Sequence, residues 1–183
     1  MAFWTSAQSE PRRSHRFLLT LPSLTSRNGE HSYQQYLAKK AGKPSYQVTA
    51  TEHKFLGNTY YYPGIVTWQP VSITIVNAVS PDGNQILMDA LNESGYLDPT
   101  LQENAFWNTN TNPSTVNKAA AVAQIGNVVI QELQGDGDIV GTWKLMNSFV
   151  TDAKFGELDY DNDTLLNIDV TFRYDWAEYE SGV

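Results

Sequence analysis

The sequence predicts a mainly-β fold: a sandwich or barrel of two antiparallel sheets with one or two short helices. Three observations indicate this. Apolar and polar side chains alternate along several segments, aromatic residues make up 12% of the 183 residues, and helical spacing is confined to the middle of the chain. Aromatic and β-branched side chains suit the pleated, half-buried surface of a sheet. We find neither a linker nor an internal repeat and expect residues 1–183 to form one domain.

The first 77 residues contain most of the predicted strands. Residues 1–14 are polar and are expected to form an N-terminal arm, and residues 23–44 are expected to form a long loop. Around these we predict three strands, with an aromatic turn before the last of them. The strands are residues 15–21, 46–51 and 65–77, and the turn is residues 57–64. Pro70 cannot donate to a ladder, so it should lie at a strand edge or start.

Helices are predicted only in the middle of the sequence. Asp82 is a helix-start signal, apolar residues then recur at helical spacing, and Gly95 can end the helix. A second, alanine-rich helix is predicted at residues 114–124, with Gly126 after it. The stretch between the helices, residues 96–113, is rich in Asn, Thr and Pro.

The last third returns to strands. A strand at residues 128–133 and a return strand at 139–150 flank the hairpin turn Gly135-Asp136-Gly137-Asp138. The closing strand is residues 166–176, in which apolar residues from Leu166 to Trp176 alternate with polar ones. A strand with this pattern has one buried face and one face in contact with water.

Composition and charge exclude several classes of protein. The chain has no cysteine, which excludes disulfides and thiol chemistry. Residues 1–10 do not resemble a Sec-type signal peptide, and no apolar run is long enough to cross a bilayer. Residues 1–60 hold eight basic and three acidic residues, whereas residues 61–183 hold four basic and seventeen acidic ones. Such a chain could bind a copy of itself head to tail, and its acidity argues against tight nucleic-acid binding.

The sequence contains no complete motif for catalysis, cofactor binding or metal binding. Residues 159–164 resemble the start of a calcium loop, but Thr164 and Val170 stand where that loop needs Gly and Glu. A polar hairpin turn is the better interpretation. The three histidines lack metal-ligand spacing. We therefore expect no enzyme activity and no cofactor.

Two stretches together resemble the tail tube proteins of contractile-tailed bacteriophages. In the first, Pro63-Gly64 precedes Trp68 and Pro70 and leads into a β-branched strand at residues 71–77. The second combines Trp143-Lys144-Leu145, the turn Leu158-Asp159-Tyr160 and the closing Tyr174-Asp175-Trp176. That family is related to the tube proteins of type VI secretion systems.

The resemblance implies a structural protein of the virion tail, assembled in the host cytoplasm. Hexameric rings would stack into a hollow tube inside a contractile sheath, with the sheets of neighbouring subunits joined around the lumen. Partners would be other copies, the sheath protein, and baseplate and neck or terminator proteins. Genomic DNA would pass through without specific binding, because an acidic lumen repels phosphate.

Five residues are assigned to surfaces on this basis. Asp169 and Asp175 lie on the polar side of the closing strand and are expected to face the lumen. Lys39, Lys40 and Lys43, in the long basic loop, are expected to contact an acidic surface of the next ring.

Other functions remain open at this point. A baseplate or neck ring that starts or ends the tube would use the same fold, as would a type VI-like secretion tube. A carbohydrate-binding β-sandwich would instead use exposed aromatic residues, such as Tyr60, Tyr61 and Tyr62, to stack on sugars.

Overall fold

The computed structural model describes residues 11–22, 24, 37–96, 115–161 and 163–182. The described part is mainly β, with ten strands and two helices. In chain order these are β1 Phe17–Thr20, β2 Ala38–Ala41, β3 Tyr46–Phe55, β4 Asn58–Trp68, β5 Val71–Val76, α1 Gly83–Glu93, α2 Lys118–Ile125, β6 Val128–Leu133, β7 Ile139–Met146, β8 Phe149–Lys154, β9 Asn167–Arg173 and β10 Trp176–Ser181.

Two four-stranded antiparallel sheets enclose the hydrophobic core. Sheet 1 has the strand order β1-β6-β7-β10, and sheet 2 has the order β2-β5-β9-β8. Each strand that alternates apolar and polar residues turns its apolar side inward, as Ile73 of β5, Ile130 of β6 and Phe172 of β9 do. One cluster of buried side chains contains residues from both sheets and from both helices. The predicted sandwich of two antiparallel sheets is confirmed.

The remaining two strands form a separate hairpin. β3 pairs only with β4, and we call this hairpin the β-arm. Nearly every residue of the β-arm is exposed, so the described body covers neither face of the hairpin. Its base is attached to the body through Trp68, whose ring lies 5.5 Å from that of Tyr46 and 6.0 Å from that of Tyr174. From that base, strands of this length extend about 30 Å.

The first helix begins and ends at its predicted signals, whereas α2 begins at Lys118, later than the predicted residue 114, and ends at Ile125, directly before Gly126. The Asp82 side chain accepts from the backbone N–H of Asn84 and caps α1. In the same way the Asn117 side chain accepts from the N–H of Ala120 at the start of α2, and Gly126 ends that helix with a positive φ of 72°. These caps satisfy backbone groups that a helix end leaves without partners.

Two predicted elements in the first half of the chain are wrong in their boundaries. Residues 38–41 lie within the predicted long loop but form β2, which pairs with β5. Residues 58–64 of the predicted aromatic turn belong to β4, and the hairpin turns at Leu56-Gly57. A β-bulge directly after Pro63, where Gly64 and Ile65 lie opposite Thr49, explains this, because it lets a strand contain a proline without losing its partner strand.

The return strand and the closing strand are each divided in two. The chain turns at Asn147 (φ 55°) and at the buried Ser148, so residues 139–150 supply all of β7 and the start of β8. The closing strand ends at Arg173, and Trp176 starts β10 in the other sheet. The predicted alternation holds from Ile168 to Tyr174, but Trp176 is 42% exposed. Because of each break, a segment with one continuous polar–apolar alternation contributes a strand to each of the two sheets.

Candidate functional site

Sheet 2 presents a polar face to solvent. The outward side chains of β5 and β9 are hydrogen-bonded across the sheet: Thr74 Oγ1 donates to Asp169 Oδ1 over 2.6 Å, and the Ser72 and Thr171 hydroxyls lie 3.3 Å apart. β2 and β8 extend this surface on either side, with Lys40 opposite Thr74 and Lys154 opposite Asp169. Short hydroxyl side chains at the centre make this face smooth and wettable.

The charge on the polar face is mixed rather than acidic. Its described residues include four basic side chains and two acidic ones: Lys39, Lys40, Lys154 and Arg173, against Asp152 and Asp169. The acidic excess of residues 61–183 therefore does not extend to the described part of this face. Strand pairing places basic residues of both halves of the chain here, which a count along the sequence cannot reveal.

Of the two aspartates predicted to share a face, Asp169 lies on β9 within the polar face. Asp175 follows the end of β9, where its carboxylate accepts from Lys118 Nζ at 2.7 Å and from Asn147 Nδ2 at 2.9 Å. These hydrogen bonds, that from Lys118 above all, lower the pKa of Asp175. Asp175 therefore ties the β9–β10 connection to α2.

The three lysines assigned to the loop occupy different surroundings. Lys39 and Lys40 are exposed on β2, where Lys39 Nζ donates to Asn167 Oδ1 over 3.3 Å. Lys43 lies beyond β2, and its Nζ is 2.6 Å from Glu132 Oε1. Lys43 thus pairs within its own chain, while Lys40 remains exposed at the edge of sheet 2.

Glu132 is the centre of an ionic cluster that joins the two sheets. Its side chain is only 10% exposed on β6, and it accepts from Arg12 at 2.9 Å as well as from Lys43. Arg12 also donates to the Tyr179 hydroxyl of β10 at 3.0 Å. Burial alone would raise the pKa of Glu132, but the hydrogen bonds from Lys43 and Arg12 outweigh it and hold the pKa below its ordinary value. Arg12 thus attaches the described part of the arm, residues 11–14, to the body.

We expect Glu132→Gln to lower the free energy of unfolding by about 1–2 kcal/mol at pH 7, because it removes the charge but keeps the shape. A carboxylate with a lowered pKa stabilises the fold above its ordinary pKa, and this contribution is lost as pH falls through the folded value. The gap between wild type and variant in urea unfolding should therefore close below about pH 4.

The pair Lys144–Glu180 supplies a matched control for this experiment. Its side chains are 36% and 62% exposed at a separation of 2.8 Å, so Glu180→Gln should change the unfolding free energy by under about 0.5 kcal/mol. Equal effects of the two variants, or a Glu132→Gln effect that persists at pH 3, would contradict the assigned role of Glu132.

The β-arm carries an exposed apolar surface, of which the sequence indicated only the exposed tyrosines Tyr60, Tyr61 and Tyr62. Among its exposed side chains are Tyr46, Phe55, Leu56, Tyr60, Tyr61, Tyr62 and Ile65, with Leu56 83% and Ile65 76% exposed. Apolar patches of this kind on soluble proteins mark interaction sites. The run of three tyrosines and the β-branched stretch after it were visible in the sequence. They were interpreted as an aromatic turn that contains Pro63 and Gly64 and as the start of the following strand.

The two edges of sheet 2 lie at opposite sides of the sheet. β2 and β8 are its outermost described strands. Unpaired strand edges are templates for pairing with another chain. The two edge strands differ in charge: β2 carries Lys39 and Lys40, whereas β8 carries Asp152, which lies 3.8 Å from Lys154 of the same strand.

An apolar groove, which we call the helix groove, lies between α1, α2 and β8. Its volume is about 400 Å³. Its walls include Leu87, Leu91, Val116, Ile125 and Phe155, of which Leu91, Val116 and Phe155 are 40%, 54% and 39% exposed. The groove is thus open to solvent along one side.

The described residues offer little to catalysis or metal binding. Within these ranges no three His, Asp or Glu side chains are grouped to hold a metal ion. At the sequence resembling a calcium loop, Asp159 Oδ1 accepts from the backbone N–H of Asp161, as in a polar turn. Neither of the two helices is long and apolar enough to cross a membrane.

Solved structures with this architecture come from contractile injection systems. A chain of the extended sheath–tube complex of the PVC extracellular contractile injection system matches with a TM-score of 0.62 and 14% identity, over 99% of both chains. The chain shares the fold of contractile injection system components. Matches at a TM-score of 0.58 come from the 6-fold symmetrised baseplate of the anti-feeding prophage, at 16% identity over 94% of this chain and 97% of that one, and from the PVC sheath/tube terminator, at 14% over 94% and 98%.

The resemblance seen in the sequence is therefore confirmed at the level of the fold. No protein-family model and no curated protein matches the sequence. At identities of 14% to 16%, this injection-system fold is specified by strand alternation, turns and caps rather than by shared side chains.

Proposed function

We propose that this chain is the subunit of a hollow tube in a contractile injection system, built from stacked rings of identical copies. The β-arm is the observation that carries this proposal. A hairpin with two exposed faces and several exposed large apolar side chains has a surface suited to contact with other subunits. The part played by such a subunit is structural, without catalysis.

Lateral pairing of sheet 2 would form the ring. If β8 of one copy pairs with β2 of the next, sheet 2 continues from subunit to subunit and closes into a barrel without edges. Six copies are proposed, in keeping with the 6-fold symmetrised baseplate that contains a chain of the same fold.

The polar face would then line the lumen. Asp169 belongs to this proposed lining, whereas Asp175 is tied to Lys118. A wall of hydroxyl groups and mixed charges lets a cargo pass without strong binding. In a contractile phage tail that cargo would be genomic DNA, as the resemblance of the sequence to tail tube proteins implies. Sheath, baseplate and terminator proteins are the further proposed partners.

Contact between rings is proposed to include Lys39 and Lys40, which are exposed on β2. Lys43 is a weaker candidate because it already pairs with Glu132. Reversing both charges, Lys39→Glu with Lys40→Glu, should block elongation and leave the unfolding midpoint unchanged. Tubes of normal length from this double variant would remove these lysines from the proposed contact.

A ring that starts or ends the tube is the second candidate. The matches to chains of a baseplate and of a sheath/tube terminator favour it, since both cover more than nine-tenths of this chain. Such a ring would form hexamers without stacking further, which separates it from the tube subunit.

Negative-stain electron microscopy of the purified protein over a concentration series tests the proposal. We expect hollow tubes of uniform width, growing longer with concentration. Single rings that never stack would favour the terminator or baseplate role. A monomer at every concentration would contradict self-assembly and direct attention to sugar binding by the exposed tyrosines of the β-arm.

A further inference from the structure

The tip of the β-arm contains a residue that its local conformation disfavours. Leu56 has a positive φ of 47° and Gly57 a φ of 80°, the left-handed conformations of a two-residue hairpin turn. Such turns prefer Asn-Gly, because asparagine tolerates this conformation better than other residues with a side chain. The Leu56 side chain is also 83% exposed, so burial within its own chain does not compensate for the cost.

Phe55 adds a second exposed apolar side chain beside Leu56. Phe55 is 59% exposed, and His53 and Lys54 precede it on β3. A leucine that its turn conformation disfavours, and that burial in its own chain does not stabilise, indicates a stabilising contact with another surface. Leu56 and Phe55 therefore have the character of anchors for another surface.

The helix groove has the chemistry that such a tip requires. Met88 and Leu91 of α1 line it and are 42% and 40% exposed, above a floor that contains the buried Ile125. Its volume of about 400 Å³ is within the range of pockets that bury a small ligand, so two apolar side chains fit. Asp152 lines the groove, and α1 carries Asp89 and Glu93 and no basic residue. The basic residue at the tip, Lys54, complements these charges.

A second copy of this chain is the occupant that both surfaces indicate. The described β-arm residues are not among those that line the groove, so the groove is not filled by the arm of its own chain. The base of the arm nevertheless lies beside one end of the groove, since Phe149 lines the groove and also a depression next to Val66 and Trp68. An arm that starts near one groove and ends about 30 Å away can reach the groove of a neighbour. Such head-to-tail contacts form rings or filaments.

We propose that Phe55 and Leu56, at the tip of the β-arm, insert into the helix groove of a neighbouring copy. This inference rests on the proposed function as a self-assembling subunit and specifies the surface that receives the arm.

Leu56→Asn is the first test, because it separates folding from docking. Asparagine suits the turn, so the unfolding midpoint should stay equal or rise. Loss of a buried apolar anchor should raise the concentration needed for assembly about thirtyfold. Thr59→Asn is the matched control: it places the same side chain three residues away on an exposed polar position and should leave assembly unchanged.

Chemical cross-linking tests where the tip docks. The chain has no cysteine, so Asn58→Cys, opposite Phe55 at the tip, and Leu91→Cys in one chain provide the only thiols and keep Phe55 and Leu56 in place. A short bismaleimide should give a ladder of covalent multimers, and an equal mixture of the two single variants should give dimers only. Replacing Leu91→Cys by Tyr160→Cys, which is fully exposed away from the groove, should give no ladder.

The outcomes separate this inference from the proposed function. Tubes from the wild type, with no ladder and with normal assembly of Leu56→Asn, would overturn the docking and leave the tube intact. A ladder without tubes would support the docking and overturn the tube. The absence of both would overturn both.

Discussion

Replacing residues 47–67 with the two-residue turn Asn-Gly is expected to abolish assembly and leave the body of the protein folded. Tyr46 and Trp68 are direct partners across the base of the β-arm, so a short turn can join them. The deleted residues are exposed and contribute nothing to the buried cluster. The unfolding free energy should therefore change by no more than about 1 kcal/mol.

Sedimentation velocity and electron microscopy measure the assembly of the excised variant, and urea unfolding measures its stability. A matched control keeps the arm and exchanges one of its exposed polar residues, Thr51→Ser, which should assemble as the wild type does. Rings or tubes formed by the excised variant would refute the arm as the main contact. Unfolding of the variant would instead show that the arm stabilises the body.

Much of the two-sheet body could be predicted because its signals are local. Alternation along a strand, a capping side chain such as Asp82 and a terminating glycine such as Gly126 act within a few neighbouring residues. The buried face of β9, with Ile168, Val170 and Phe172, is a direct result of such alternation. Pro70 was expected at a strand edge or start, and it lies directly before β5.

The breaks within predicted strands depend on distant partners. The alternation continues past Arg173, so the pattern alone gives no reason for the closing strand to end there. The division arises because β9 pairs with β5 and β8, whereas β10 pairs with β7 in the other sheet. Sequence spacing predicts that Asp175 lies on the same side of the strand as Asp169. The ion pair of Asp175 with Lys118 depends instead on the tertiary structure.

The β-arm was missed because two opposite signals coincide in it. Pro63 and Gly64 normally end a strand, but here a bulge accommodates them. A Cβ at position 64 would lie 2.5 Å from Thr49 Oγ1, so glycine is required for the close approach of the two strands. Residues 25–36 and 97–114, which include most of the predicted loop and the Asn/Thr-rich stretch, lie outside the described residues.

Phe172→Ala is expected to have the largest effect on stability, a loss of about 3–5 kcal/mol. Phe172 is fully buried on β9, between its strand partners Val71 on β5 and Val150 on β8. A domain of this kind has a total stability of about 5–15 kcal/mol, so the variant should be partly unfolded near body temperature. Thermal unfolding followed by circular dichroism measures this.

Phe172→Leu is the control, with an expected loss of about 1 kcal/mol, because most of the apolar volume remains. Since Asp169 and Thr171 project from the same strand, loss of Phe172 also disturbs the polar face, and assembly should fail together with folding. The β-arm excision should instead remove assembly alone. If Phe172→Ala stays folded and assembles normally, the core is not centred on β9, and the polar face cannot owe its shape to this strand.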